Sequence, residues 1–285
     1  MRKSIFSDLW YKMVHSGSRL NLAIGINVLV FVSIGLISVV EFLFTRNAPI
    51  ADWITIHLSM PADLSSLASK FWTPFTYMFT HREVFHILFN MLWLYWMGRI
   101  FEDFLNQKQF TFTYLAGGLT GALLYLLAYN LFPAFSDQVQ GSLILGASAS
   151  VSAIVIASAT LLPEYTVMLM LFGAVKLKYL ALAYIVLDLI SIAGSNPGGS
   201  IAHLGGALLG FIYIKQLQNG NDWSKLFQMR KKLKVVSRSA SVLVKKLPDQ
   251  EIIDKILDKI SASGYESLTA QEKEQLFKAS KKNDR

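Results

Sequence analysis

The chain contains no cysteine. That excludes a disulfide framework, a thiolate metal site and a thiol nucleophile, and it leaves the redox compartment unspecified. Charge is scarce: only 16% of the 285 residues are Asp, Glu, Lys or Arg, against 53% hydrophobic, and mean hydropathy is +0.41. Soluble domains carry about 25% charged residues, so this composition points to a polytopic membrane protein. The start, Met1-Arg2-Lys3-Ser4-Ile5, is basic, but Ser7-Asp8 interrupts it and no apolar core with a small-residue cleavage site follows early. No removable signal peptide is expected, and the first span is expected to direct insertion itself. A His-Glu-x-x-His spacing is also missing, so neither a metal nor another cofactor is expected.

Six apolar stretches are present instead, at about Leu22–Phe44, Pro74–Phe101, Phe110–Leu131, Ser148–Leu162, Leu177–Ile192 and Ser200–Leu217. The fourth is short. Pro163 stops it after about 15 residues, or roughly 22 Å of helix, while the hydrocarbon core is about 30 Å thick. One end must begin inside the slab. If the Pro163-Glu164 end sits at one face, Ser148 opens the helix below the other, where non-helical backbone is tolerated only against protein or a water-filled cavity. Between the spans, Ala51–Met60 reads as an interfacial helix and Pro133–Leu145 as a polar loop. Thr166–Val175 is apolar but only ten residues long, so it is expected to be re-entrant or interfacial.

Net charge is +8, which on a soluble protein would suggest nucleic acid. With these spans, however, 24 of the 27 Lys and Arg fall on one side, leaving Arg46, Lys70 and Arg82 opposite. That asymmetry is the positive-inside pattern of an even number of spans with both termini cytoplasmic. Nucleic acid is not expected as a partner. The chain is expected to divide into an N-terminal cytoplasmic or interfacial segment (1–20), a membrane domain (21–217), a basic juxtamembrane linker (218–248) and a cytoplasmic helical hairpin (249–285). Eight Lys or Arg and no acid lie between Lys225 and Lys246, which anchors the last span and suits anionic lipid headgroups. In the tail, Ile252, Ile253, Ile256, Leu257 and Ile260 repeat at helical spacing. Ser263-Gly264 breaks that helix, and Thr269-Ala-Gln-Glu272 fits a capping box for a second one.

Chemistry is concentrated in a few polar residues, which are costly inside a membrane. Ser148 follows Gly146-Ala147 at a buried helix start. A serine hydroxyl needs a base to become a nucleophile, and His203 is available in Ala202-His203-Leu204-Gly205-Gly206-Ala207-Leu208-Leu209-Gly210. Ala202, Gly206 and Gly210 recur every four residues, as do Ala149, Ala153 and Ala157; small residues at that spacing let two helices approach closely. If those faces meet, His203 is carried toward Ser148. His86 and Asn90, four apart on the second span, share a helix face and offer two N–H donors for an oxyanion. Each feature alone has a plainer reading: a membrane serine bonds back to its own helix, and a His/Asn pair bonds a neighbouring one. Asp188 in the fifth span competes for a role, either orienting His203 or hydrogen-bonded within the bundle.

Gly146-Ala147-Ser148-Ala149, His203 with Gly206 and Gly210, and His86-Ile-Leu-Phe-Asn90 resemble the rhomboid intramembrane serine proteases of bacterial type, in family order across roughly residues 20–217. The resemblance implies an all-α membrane protein, a six-transmembrane-helix rhomboid bundle followed here by a short helical cytoplasmic tail. It implies a multi-pass protein of the cell's inner (plasma) membrane that cleaves transmembrane protein substrates through an acyl-enzyme, using a Ser–His dyad without an acid. Ser148 would be the nucleophile and His203 the general base. His86, Asn90 and the Ser148 backbone N–H would form the oxyanion hole, with His81 as a supporting histidine. The alternatives are a non-catalytic rhomboid-like binder or escort of unstable spans, and more remotely a transporter. Two positions depart from the family pattern around the site. Ala149 replaces the usual Gly after the serine, and Ser152 stands where some members carry an aromatic that stacks on the base, so His203 is expected to lack that support. The family's Trp-Arg pair in the first outer loop is not evident.

Overall fold

Backbone in hydrocarbon must satisfy its own N–H and C=O groups, and a helix does so within one segment. The computed structural model describes Tyr11, His15 and residues 17–169, 173–227 and 250–280. Helix α1 spans Arg19–Thr45. Its start is fixed by Ser18, whose side chain accepts from the Asn21 amide, and by the Glu102 carboxylate, which accepts from Ser18 Oγ and the Leu20 amide at 3.0–3.2 Å. Helix α2 (Pro49–Leu58) has proline at its first position, where no N–H is needed, and the Glu41 carboxylate accepts the Ile50 and Ala51 amides at 2.8 Å. Strand β1 (Met60–Pro61) and two short helices, α3 (Leu64–Ser69) and α4 (Thr73–Thr76), lead to a 3-10 turn at Tyr77–Phe79.

Helix α5 (Val84–Phe104) is followed by α6 (Gln107–Leu131), which starts on a full capping box between Asn106 and Gln109. Strand β2 (Leu143–Ile144) pairs antiparallel with β1, Met60 opposite Ile144 and Pro61 opposite Leu143. Next come α7 (Ser148–Leu161), strands β3 (Thr166–Leu169) and β4 (Gly173–Lys176), α8 (Leu177–Ser191) and α9 (Pro197–Gln218). The chain divides into two compact units, Met1–Gln228 and Met229–Arg285. In the second unit α10 (Gln250–Ser263) and α11 (Ala270–Ser280) form a hairpin that buries Ile256 and Leu268. The Thr269–Glu272 box that caps α11 closes in both directions, at 2.7 and 3.4 Å.

Helices α1, α5, α6 and α9 are long and apolar enough to cross a membrane, so the chain is an all-α, multi-pass membrane protein. Helices α7 and α8, with 14 and 15 residues, fall short of the ~20 that a full crossing takes. The six spans of the sequence reading include these two. Burial sorts the helices by position. Leu29, Leu36 and Leu43 of α1 are largely exposed and face where lipid would lie, whereas every residue of α7 from Ala149 to Ala159 is buried. A helix that is apolar all round belongs in the interior, and α7 is packed by α5, α6, α8 and α9.

Close approach is what allows that enclosure. A Cβ placed on Gly206 would sit 1.9 Å from the Ala149 carbonyl oxygen, and one on Gly210 would sit 2.3 Å from that of Ala153. The two small-residue faces read from the sequence therefore meet. Helix α6 joins them: Gly117 and Gly121 leave room for the Ala153 and Ala149 methyls, which would lie 2.3 and 2.6 Å from any added Cβ.

One expectation needs correction, and another gains detail. The second apolar stretch is not one span from Pro74; its helix begins only at Val84. The backbone is open at residues 80–83, beside which the Tyr77 carbonyl and the His81 ring accept from the amides of Gly146 and Ala147. Across the stretch read as re-entrant or interfacial, Thr166–Leu169 and Gly173–Lys176 pair as antiparallel strands, Val167 opposite Val175. Its alternation decides this: Val167, Leu169 and Val175 are half-buried while Met168 and Ala174 are exposed, a period of two. Glu164 at the base of the hairpin pairs with Lys176 and Lys178, whose hydrogen bonds hold its carboxyl down to about 2.

Replacing Gly206 by Ala should force α7 and α9 apart, at a cost of about 1–3 kcal/mol or more for overpacking against rigid backbone. Gly35→Ala, in α1 with nothing within 4 Å of its added Cβ, should be nearly neutral. Thermal unfolding of both variants in one detergent checks this; equal midpoints would contradict the contact.

Candidate active site

Ser148 owes its position to the strand before it. The Ala62 amide donates to the Ser142 carbonyl at 3.1 Å, β1 pairs with β2, and the Gly146 amide donates to the Tyr77 carbonyl at 2.9 Å. The Ala147 amide donates to His81 Nε2 at 3.2 Å. Gly146 then turns the chain at φ +117°, and a Cβ there would lie 2.7–2.8 Å from the His86 ring. Only glycine permits both that backbone angle and the imidazole seated on it. The chain enters α7 with Ser148 as its first helical residue. Its N–H is one of the amides a helix start leaves without an intrahelical partner, and among the described residues it has no other.

One cavity of about 590 Å³ brings the predicted residues together: Ser148, His203, His86 and Asn90 all line it, and Arg82 and Asn196 line it too. No direct hydrogen bond joins Ser148 to His203 among the described residues; such pairs often tighten only when substrate arrives. The His86 ring nitrogens bond no described group, and the ring stands edge-on to His81 at 5.1 Å. Asn90 is buried, and its amide donates to the His86 carbonyl at 3.0 Å and to His81 Nε2 at 3.3 Å. His81 is therefore behind the cavity, accepting from Ala147 and Asn90 at one nitrogen. Gly206 and Gly210 are the packing residues described above.

His203 has two contacts from the fifth apolar stretch: Asp188, one of whose two alternative roles in the sequence was to orient this ring, and Tyr184, which sequence reasoning missed. The His203 Nδ1 lies 2.8 Å from Asp188 Oδ1, so the base has a carboxylate neighbour where the resemblance implies a pair without an acid. The other Asp188 oxygen is buried without a partner among the described residues. The Tyr184 ring stacks on the His203 ring, with centroids 6.2 Å apart and planes at 28°. His203 thus has an aromatic support, delivered from α8 rather than from position 152. Ser152 takes another part: its Oγ donates to the Ser148 carbonyl at 2.7 Å and lies 2.6 Å from the Tyr184 hydroxyl. The signal available in the sequence was the i, i+4 spacing of Tyr184 and Asp188.

A half-buried serine at a short helix start shares one cavity with an imidazole and further donors, inside a multi-pass helical membrane protein. The comparisons agree with the architecture. A family model described as "Rhomboid domain" matches residues 68–218, and the chain belongs to the rhomboid family. A second model, described only as a family of unknown function, matches residues 243–282. The chain is 33% identical over 158 residues to RHOMBOID-like protein 12, mitochondrial, of Arabidopsis thaliana, covering 52% of this chain and 47% of that protein. It is 29% identical over 139 residues to Presenilin-associated rhomboid-like protein A, mitochondrial, of Danio rerio, covering 48% and 35%. The matches thus span about half the length of the first relative and about a third of the second.

Gly146→Ala should strain the turn by about 1–3 kcal/mol and displace the His86 ring. Thermal unfolding in detergent is the check, and an unchanged midpoint would show that the turn tolerates a side chain.

Proposed function

We propose that the chain is an intramembrane serine endopeptidase that hydrolyses peptide bonds in the transmembrane segments of other membrane proteins. The observation that carries this reading is the shared cavity of Ser148, His203, His86 and Asn90, on a rhomboid domain. The Ser148 Oγ–H proton passes to His203 as Oγ attacks the scissile carbonyl carbon, whose oxygen becomes an oxyanion. That charge is met by the Ser148 N–H, at the positive end of the α7 dipole, and by the His86 ring. Asn90 joins by giving up one of its two resting hydrogen bonds. Collapse breaks the C–N bond, and the leaving amine takes the proton from His203. Water then attacks the acyl-enzyme, losing its proton to His203, and the second collapse returns that proton to Ser148. A continuous helix hides its carbonyls in hydrogen bonds, so the substrate segment must unwind locally before attack.

The charge asymmetry supports cytoplasmic termini and an inner, plasma-membrane location, although both relatives carry "mitochondrial" in their names. Anionic lipids suit the basic linker 218–248, most of which lies outside the described residues. The rival reading is a binder or escort of unstable spans; the "rhomboid-like" in both relatives' names leaves it standing. It predicts no reactive serine.

A fluorophosphonate probe should label the detergent-solubilised protein and not Ser148→Ala; equal labelling of both would reject the nucleophile. His203→Ala should abolish cleavage with the bundle intact. His86→Ala should lower turnover about 100-fold, the usual cost of one oxyanion donor. Asn90→Ala should cost less, because its N–H groups are already engaged, and should alter substrate binding little.

A further inference from the structure

Helix α8 places two polar side chains, one turn apart, on the same imidazole. Tyr184 and Asp188 are at i and i+4 and so share a face, while Leu182, Leu187 and Ile190 of the same helix are largely exposed. Asp188 is 9% exposed. A carboxylate at that depth is costly, and helix packing alone has no use for one with an oxygen left unpartnered. Its ionised form can only accept, so the proton in the 2.8 Å bond sits on His203 Nδ1. Nε2 is then the nitrogen with a free lone pair.

Tyr184 adds a distance constraint. Ser152 has one hydroxyl proton, and it is donated to the Ser148 carbonyl at 2.7 Å. The 2.6 Å contact between Tyr184 and Ser152 is therefore donated by the tyrosine. Read in sequence, the ring stacked on His203 is tied by its own hydroxyl, through Ser152, to the backbone of Ser148. The remote edge of Tyr184 is backed by Trp93, with ring centroids 6.5 Å apart.

Resting on the Ser148–His203 reading above, we propose that α8 is the positioning helix of the base. Asp188 holds His203 in the tautomer that leaves Nε2 free for Ser148, and the Tyr184–Ser152 strut sets the separation of imidazole and nucleophile. These are positioning residues: none of them touches the scissile bond. Their effect falls on the rate of attack and not on substrate affinity.

The experiment measures phosphonylation of the full-length protein by a fluorophosphonate, separating the maximal rate from the half-saturating probe concentration. Asp188→Asn keeps the shape but can present an N–H to Nδ1, and should lower the maximal rate about 100-fold or more, leaving half-saturation within about threefold. It should also remove the downfield imidazole proton signal that His203→Ala removes, which a purely structural carboxylate would not control. Tyr184→Phe and Ser152→Ala remove the same hydrogen bond. Each should slow labelling about 3- to 10-fold, and the double variant should be no slower than the worse single one, the non-additivity expected of groups in one network.

A wild-type rate in Asp188→Asn, or additive losses in the Tyr184–Ser152 cycle, would overturn the proposal while inert Ser148→Ala and His203→Ala left the catalytic reading standing. Labelling retained in Ser148→Ala would overturn both. If Asp188→Asn accumulates unfolded, the hydroxyl cycle decides alone.

Discussion

The site depends on one contact, the backbone of α9 lying against the backbone of α7. At Gly206 the space for a side chain is already occupied by the Ala149 carbonyl oxygen, 1.9 Å from where a Cβ would be. Such an approach fixes the two helices in rotation as well as in distance, because only the glycine-bearing edge of α9 fits. Ser148 precedes Ala149 and His203 lies one turn before Gly206, so the register of the contact is also the register of these two side chains. Gly117 and Gly121 of α6 close around the same alanines. The buried helix is clasped from two sides by chains that present almost no side-chain volume.

A second constraint is depth. With only 14 residues α7 is too short to cross, and if its Pro163 end lies at one face, the strand before Ser148 has to find hydrogen-bond partners in protein. It finds them in β1, in the Tyr77 carbonyl and in His81 Nε2. The segment Thr80–Glu83 is irregular where it flanks these contacts, the Tyr77 carbonyl accepting from both Thr80 and Gly146. What looks like a broken second span is the other half of the scaffold that holds the turn before Ser148. The Ser148 N–H, left over from this pairing, is the amide exposed to the cavity.

Much of this was legible because membrane sequences make polar residues conspicuous. Ser148, His203, His86 and Asn90 stand in apolar runs, and the four-residue spacing of Ala202, Gly206 and Gly210 marks the face that carries the base. Tyr184 and Asp188 were harder to place. Tyrosine is ordinary near membrane interfaces, and the direction in which a lone aspartate points depends on the rotation of a short helix with apolar residues on most sides. Gly117 and Gly121 were passed over, although they recur at the same four-residue spacing as the glycines of α9. The pairing of β3 with β4 was not legible: residues 167–172 are all apolar, so the length argument could exclude a span, but the alternation that marks a strand appears only in burial.

The polar groups of the membrane unit fall into two sets with different chemistry. Asn27 donates to the Tyr114 hydroxyl, which donates to the Met78 carbonyl; these groups bridge helices away from the cavity and hold no group that changes protonation near neutrality. Around the cavity the pattern differs. There a carboxylate, an imidazole, two hydroxyls and a backbone carbonyl form two arms that converge on His203 from one helix, α8. Bridging two helices needs one neutral hydrogen bond, as Asn27 demonstrates. Burying a carboxylate against an imidazole exceeds that need, and the positioning role proposed for α8 is what accounts for the difference.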